Sequence, residues 1–384
     1  MMKTWRIVSI IVGALLLCAV LVTVGILFWN TEATPAETQP TTISTTAPEE
    51  TTTVPEETTL PEETTLPEET TLPEETTLPE ETTVPEETTV PETTQPPTTA
   101  PPATTAPPTT APPETTAPVS SDSSISINAH HAFVYDVGSA TYLYYKGSLD
   151  DALAPASMTK LFTAYVALQH MPLDAHLTAG DELYLLDPES SLARIYHGQT
   201  VTVDMCIQGM LLPSGNDAAY ILAVNTGRVL LGDPGADIST ALAAFVAEMN
   251  AQAQLLGLYG SHFATPDGID ADNHYISPRD LCTIAQLSLN NPTISYHAST
   301  AAATVYYVSG EMIAWKNSNF LLHPDNTYYC PDAIGLKTGY TSKAGDCLVS
   351  AFHSGDRLLI VGVYGCPRGG ARYEDSLNLY EAFR

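Results

Sequence analysis

Ser157 and Lys160 stand three residues apart in PASMTKLFTAY (155–165), at the start of a stretch with helical spacing. Residues at i and i+3 of a helix share a face, so the lysine amine would meet the serine hydroxyl. A serine becomes a competent nucleophile only when a neighbouring base takes its proton. A free lysine, with a pKa of about 10.4, is too weakly dissociated for that task near neutrality. Burial, a second cation or the positive end of a helix would bring it down. Ser-x-x-Lys alone arises readily by chance, so a second lysine at the site is the informative signal.

Two further stretches supply the company such a serine needs. LLPSGNDAAYILA (211–223) puts Ser214 and Asn216 on a tight glycine-containing loop between two apolar helical runs. AIGLKTGYTSKAGDCLVS (333–350) puts Lys337, Thr338 and Gly339 at the end of an apolar strand. Beyond residue 29 the chain has five lysines, and two of them fall in these motifs. The ordered trio Ser-x-x-Lys, Ser-Gly-Asn and Lys-Thr-Gly is the signature of penicillin-recognising serine acyltransferases.

With PASMTKLFTAY, SGNDAA, KTGYT and AGDCLVSAF, the chain from about Ser124 to Arg384 closely resembles the low-molecular-mass penicillin-binding proteins, serine D-alanyl-D-alanine carboxypeptidases of the carboxypeptidase A type. The resemblance implies Ser157 as nucleophile, Lys160 as its general base and Ser214 as proton relay to the leaving D-alanine. It implies Asn216 on the substrate amide, and Lys337, Thr338, Gly339 and Tyr340 as a substrate-binding strand, with Lys337 and Thr338 on the terminal carboxylate. Lys337 would also be the second cation that depresses Lys160. The N–H groups of Ser157 and Tyr340 would form an oxyanion hole, where losing a donor costs roughly 3–4 kcal/mol. It further implies peptidoglycan stem peptides as substrate, β-lactams as covalent inhibitors, and neither metal nor organic cofactor. FATPDGID (263–270) sits where the family often has Asn-Pro-His-Gly-Leu; it is expected to shape the rim, with no catalytic role for Asp267.

The elements that must position these groups are legible in outline. AFVYDVGSATYLYY (132–145) reads as two strands around a Gly-Ser turn, and a helix follows from Ser157 with Leu161, Tyr165 and Leu168 on one face. A long, mostly helical region comes next. Its best-marked helix begins at SPRDL, where Ser277 caps, Pro278 suits the first turn and Asp280 favours the dipole. Strands return as TVYYV, AIGLKTG, DCLVSAFH and RLLIVGVYG, and YEDSLNLYEAF closes the chain as a helix. The expectation is an α/β (α+β) domain over 124–384, with one antiparallel sheet built from both ends, flanking helices and an inserted all-helical lobe. By resemblance this is the β-lactamase/transpeptidase-like fold.

The net charge of −30 is unevenly spread: residues 31–125 hold 19 acids and no Lys or Arg, leaving 25 acids against 14 bases elsewhere. No basic surface is available for phosphates, which argues against a nucleic-acid partner. Residues 7–29 are an uncharged apolar run after Lys3 and Arg6. Its length suits a bilayer, and the basic flank places residues 1–6 in the cytoplasm and the rest outside. It exceeds the about 7–15 apolar residues of a cleaved signal peptide and exits through Phe28-Trp29, which favours a single-pass anchor. Residues 30–123 are rich in Thr, Pro and Glu, with TTLPEE and TTVPEE repeats from Thr52 to Glu92. Such a segment buries no apolar face and is expected to be a disordered, extended spacer reaching at most roughly 280 Å. Many family members carry a second, β-rich domain and a C-terminal amphipathic helix. This chain ends at Arg384, so the N-terminal segment is expected to anchor it, with the domain on the wall side. Five cysteines beyond the apolar run read chiefly as small core fillers.

Rival readings fare worse on the residues. A class A β-lactamase would show Ser-Asp-Asn and a poised glutamate; here the middle motif is Ser-Gly-Asn, and Glu248 lies in an ordinary amphipathic helical pattern. A zinc peptidase needs a His/Asp/His set, and the ten histidines are scattered. A wall-binding protein or β-lactam sensor with slow deacylation would keep the same motifs, and only turnover separates it from the enzyme.

Overall fold

Side-chain alternation along five strands builds the central sheet, and it separates two cores. The computed structural model describes residues 125–384, so the expected membrane segment at 7–29 and the spacer at 30–123 lie outside the described residues. Strands β1 (His131–Asp136) and β2 (Thr141–Lys146) come from the start of this region. Strands β7 (Ala333–Thr341), β8 (Gly345–Ser354) and β9 (Arg357–Cys366) come from its end. They form one antiparallel sheet in the order β2-β1-β9-β8-β7, which leaves β7 on an edge. Phe133, Val349, Ala351 and Ile360 point to one face, while Val134, Leu348, Val361 and Val363 point to the other. Both faces are therefore covered.

Helix α7 (Ala371–Phe383) covers the second face with Tyr373, Leu379 and Tyr380. The first face carries the helical lobe: α1 (Thr159–Ala167), α2 (Val203–Leu211), α3 (Asn216–Leu231), α4 (Ile238–Leu255), α5 (Pro278–Asn290) and α6 (Pro292–Ser299). Helix α1 is buried on nearly every side, including Thr159, Lys160 and Thr163. A helix enclosed all round has no polar face to mark its period, which is why its boundaries are faint in the sequence. Helix α5 starts as expected: Ser277 Oγ accepts from the Asp280 N–H at 3.1 Å, with Pro278 in the first turn. No helix among the described residues is long and apolar enough to cross a membrane.

Two expectations need adjusting. TVYYV does not join the main sheet: among the described residues β5 (Ala302–Tyr306) pairs only with β6 (Met312–Lys316), as a separate hairpin. Its residues alternate between exposed and half-buried, too little apolar surface to insert beside β7. Ser157 is also not part of a continuous α-helix: it sits in a 3-10 turn, Ala156–Met158, that leads into α1. Small two-stranded pairing of β3 (His176–Thr178) with β4 (Thr200–Thr202) completes the lobe. All five cysteines of the described region are buried and unpaired.

Candidate active site

The turn that carries Ser157 is held under strain. Ala156, just before Ser157, has φ +48°, and Ser214 has φ +65°, a left-handed conformation that non-glycine residues adopt only when their surroundings enforce it. The enforcing contacts are close. A Cβ on Gly339 of β7 would lie 2.9 Å from Ala156 Cβ and 3.2 Å from the Ser157 nitrogen. A Cβ on Gly268 would overlap the Ala156 carbonyl outright. Glycine at both positions lets the sheet edge and the 263–270 loop close on the turn from two sides.

Lys160 is fully buried, and its Nζ has three partners: Ser157 Oγ at 2.7 Å, Asn216 Oδ1 at 2.7 Å and the Asp267 carbonyl at 2.9 Å. Asn216 opens α3, and its Nδ2 donates to Ser190 Oγ at 2.9 Å, which turns its oxygen towards the lysine. Beside it, buried Asp217 accepts from the N–H groups of Ala193 (2.8 Å) and Ile195 (3.0 Å) and so ties the 190–195 segment to α3. Burial brings the Lys160 pKa down to about 8, against an opposing pull from the Asp267 and Asp217 carboxylates. Two of its three partners are carbonyl oxygens that can only accept. A neutral amine keeps two N–H donors for them and one lone pair, which can only face the Ser157 hydroxyl.

Lys337 is also buried, 1 % exposed, with its Nζ donating to its neighbour's carbonyl, Thr338 O, at 3.1 Å. Its pKa lies well below the ordinary lysine value, first through burial, then through repulsion from Lys160 and Arg372. Burial, one of the causes expected to depress Lys160, is the main one, ahead of the expected repulsion from Lys337.

The cavity above Ser157 has a volume of about 220 Å³. Ser157, Ser214, Asn216, Thr338, Gly339 and Tyr340, all singled out from the sequence, line it, while Lys160 and Lys337 are buried and do not. Others on the wall were missed. Ser318 Oγ pairs with Thr338 Oγ1 at 2.6 Å, and Arg372, from the first turn of α7, donates to the Gly339 carbonyl at 3.1 Å while its buried Nε has no partner among the described residues. Neither has a motif partner in sequence, so only the fold brings them in. Glu248 is elsewhere, on α4 against His170 at 3.0 Å.

The 263–270 loop contributes backbone more than side chain. His274, buried, accepts at Nδ1 from the Thr265 N–H (3.2 Å), which leaves Nε2–H to donate to Thr159 Oγ1 (3.2 Å). Burial holds its pKa down to about 4. Thr163 Oγ1 donates to the Pro266 carbonyl at 2.6 Å, and Asp270 accepts from Thr341 Oγ1 at 2.8 Å. The loop is thus fastened to α1 at one end and to β7 at the other, which fixes the Asp267 carbonyl on Lys160. Among the described residues no group of three His, Cys, Asp or Glu side chains is placed to hold a metal.

Residues 115–367 match the family model described as D-alanyl-D-alanine carboxypeptidase. The D-alanyl-D-alanine carboxypeptidase of Streptomyces sp. (strain K15) is 34% identical over 263 residues, 66% of this chain and 86% of that protein. DacA of Escherichia coli (strain K12), of the same description, is 33% identical over 234 residues, 59% of this chain but only 53% of its own length. The crystal structure of the Streptomyces K15 DD-transpeptidase superposes with a TM-score of 0.61 at 34% identity, over 67% of this chain and 97% of that one. Penicillin-binding protein D2 of Listeria monocytogenes, in its cefotaxime-bound form, gives a TM-score of 0.55 at 27% identity, over 67% and 97%. The antiparallel sheet, the inserted lobe and the Ser157 turn between them are thus the β-lactamase/transpeptidase-like fold, and the chain belongs to the D-alanyl-D-alanine carboxypeptidase family of serine hydrolases related to the penicillin-binding proteins.

Proposed function

We propose that Ser157 removes the terminal D-alanine from peptidoglycan stem pentapeptides through an acyl-enzyme. The observation that carries this is the buried Lys160 amine, whose only partner able to donate among the described residues is the Ser157 hydroxyl. Ser157 Oγ attacks the carbonyl carbon of the penultimate D-alanine as its proton passes to Lys160 Nζ. The N–H groups of Ser157 and Tyr340 receive the developing oxyanion. The C–N bond breaks as the Ser214 hydroxyl gives its proton to the departing amine and takes the one held on Lys160, which returns the lysine to its neutral form. A water then attacks the ester and gives its proton to Lys160; the bond from carbon to Ser157 Oγ breaks, Lys160 passes the proton to Oγ, and the shortened peptide leaves. Thr338, Ser318 and Arg372 face the terminal carboxylate, with buried Lys337 supporting them from below, and Asn216 meets the substrate amide. β-Lactams end at the same acyl-serine.

Residues 7–29 anchor the chain in the cell membrane in this reading, and 30–123 lift the catalytic domain, 124–384, to the wall side. The uninterrupted apolar run with its basic flank and the Thr-Pro-Glu repeats support this.

The test is D-alanine release from a pentapeptide ending in D-Ala-D-Ala by the full chain, with Ser157→Ala as control. Release that disappears in the control is expected. A stable penicillin adduct on the wild type without release would overturn the peptidase reading in favour of a sensor.

A further inference from the structure

A second cavity, about 370 Å³, adjoins the first and shares Tyr340 and Arg372 with it. One wall is a column of three stacked rings, Phe320, Tyr373 and Tyr328, with centroids 5.2 and 5.1 Å apart. The Tyr373 hydroxyl donates to the Ser318 carbonyl at 2.7 Å, and Ser318 is the residue whose Oγ pairs with Thr338. The aromatic column therefore stands directly behind the hydroxyl pair assigned to the substrate carboxylate. On the other side the Arg368 guanidinium lies over the Tyr340 ring, 3.6 Å from its centroid. Arg368 is exposed and has no carboxylate partner among the described residues. The acid in this cavity, Asp346, is buried and already 3.7 Å from Arg372.

These features suit one kind of ligand. Phe320 and Tyr340 are 42% and 44% exposed, an aromatic surface left open where an apolar chain could lie. A guanidinium stacked on a ring is held in place with its N–H donors directed outward, pre-organised for a carboxylate. A D-alanine methyl is far too small to use such a space.

We propose that this annex is a leaving-group subsite for D-residues longer than alanine whose side chain ends in a carboxylate. The aliphatic part lies along Phe320 and Tyr373, and the side-chain carboxylate meets Arg368. The bond cut and the proton path are those of the D-alanine reaction, so the proposal rests on that reading of Ser157 and of the carboxylate wall.

The experiment uses the full chain and three peptides with one acyl part ending in D-alanine, differing in the leaving residue: D-alanine, D-2-aminoadipate or D-lysine. D-2-Aminoadipate is expected to leave with kcat/KM at least equal to that of D-alanine and about tenfold above D-lysine, as a charge-assisted Arg contact implies. Arg368→Gln should erase that tenfold preference while D-alanine release stays within about twofold. Phe320→Ala should lower both long leaving residues, and its D-alanine release reports that the variant is folded. Equal values for D-2-aminoadipate and D-lysine, or an unchanged ratio in Arg368→Gln, overturns the subsite. Absence of D-alanine release from the wild type overturns the parent reading instead.

Discussion

The two walls of the site treat their cations differently. On the lobe side, Lys160 has an acceptor for every donor: a hydroxyl, a side-chain amide and a loop carbonyl. On the sheet-edge side, Lys337 has one acceptor, and the buried Nε of Arg372 has none among the described residues. Unpaired buried donors are costly unless something completes them. The lobe wall is complete before substrate arrives, which suits the proton transfer proposed for it. The edge wall is left short of acceptors among the described residues, which suits the anion proposed to bind there.

Removing the lobe wall's amine breaks this contrast most severely. Lys160→Ala should slow acylation of Ser157 by a β-lactam about 10³-fold or more, the scale of a lost general base. The same wall predicts a pH profile for the wild type. Below about 8 the amine is mostly protonated, so the acylation rate should rise about tenfold per pH unit and level off above that value.

Lys337→Ala tests the other wall. D-alanine release should fall about 100-fold, because a buried charge supporting an anion site is lost. A substrate whose terminal carboxylate is amidated should lose little further in the variant. Repulsion between two ammonium groups is mutual, so the acylation profile should also shift to higher pH. Full D-alanine release by Lys337→Ala would sink both assignments.

The smallest effect belongs to the fastening between the walls. His274→Ala leaves the Thr265 N–H without its acceptor and should cost about 1–3 kcal/mol of stability. In the wild type the folded His274 resists protonation to about pH 4, against an ordinary value of 6.5. Stability from this group is therefore fully present above pH 6.5 and lost as the pH falls towards 4, about 3 kcal/mol in all. The variant should show a flatter loss over that window in chemical denaturation. A positioning role further predicts that its acylation pH profile moves, because the Asp267 carbonyl is no longer fixed on Lys160; an unmoved profile would restrict His274 to stability.

Legibility followed covalent proximity. Ser157 with Lys160, Ser214 with Asn216, and Lys337 with Thr338 each lie within three residues, so the sequence shows them as units. The edge strands and the capped α5 were readable for the same reason, since period-two alternation and a Ser-Pro start are local patterns. TVYYV misled because alternation does not say which partner a strand finds. Ser318, His274 and Arg372 escaped notice because each acts on a residue far along the chain: Thr338, Thr159 and Gly339.

By itself the sequence determined the chemistry available: a serine, two lysines, an amide and the glycines that let backbone approach them. It also carried the apolar run and the repeat that motivate the membrane and spacer proposals. Tertiary structure alone decided the electrostatics. Whether Lys160 is a base depends on how completely it leaves water and on which acceptors surround it, and burial is a property of packing that no local pattern encodes. Tertiary structure likewise decided which lysine reaches the Ser157 hydroxyl and which is buried beside Thr338, because that follows from where β7 crosses the Ser157 turn.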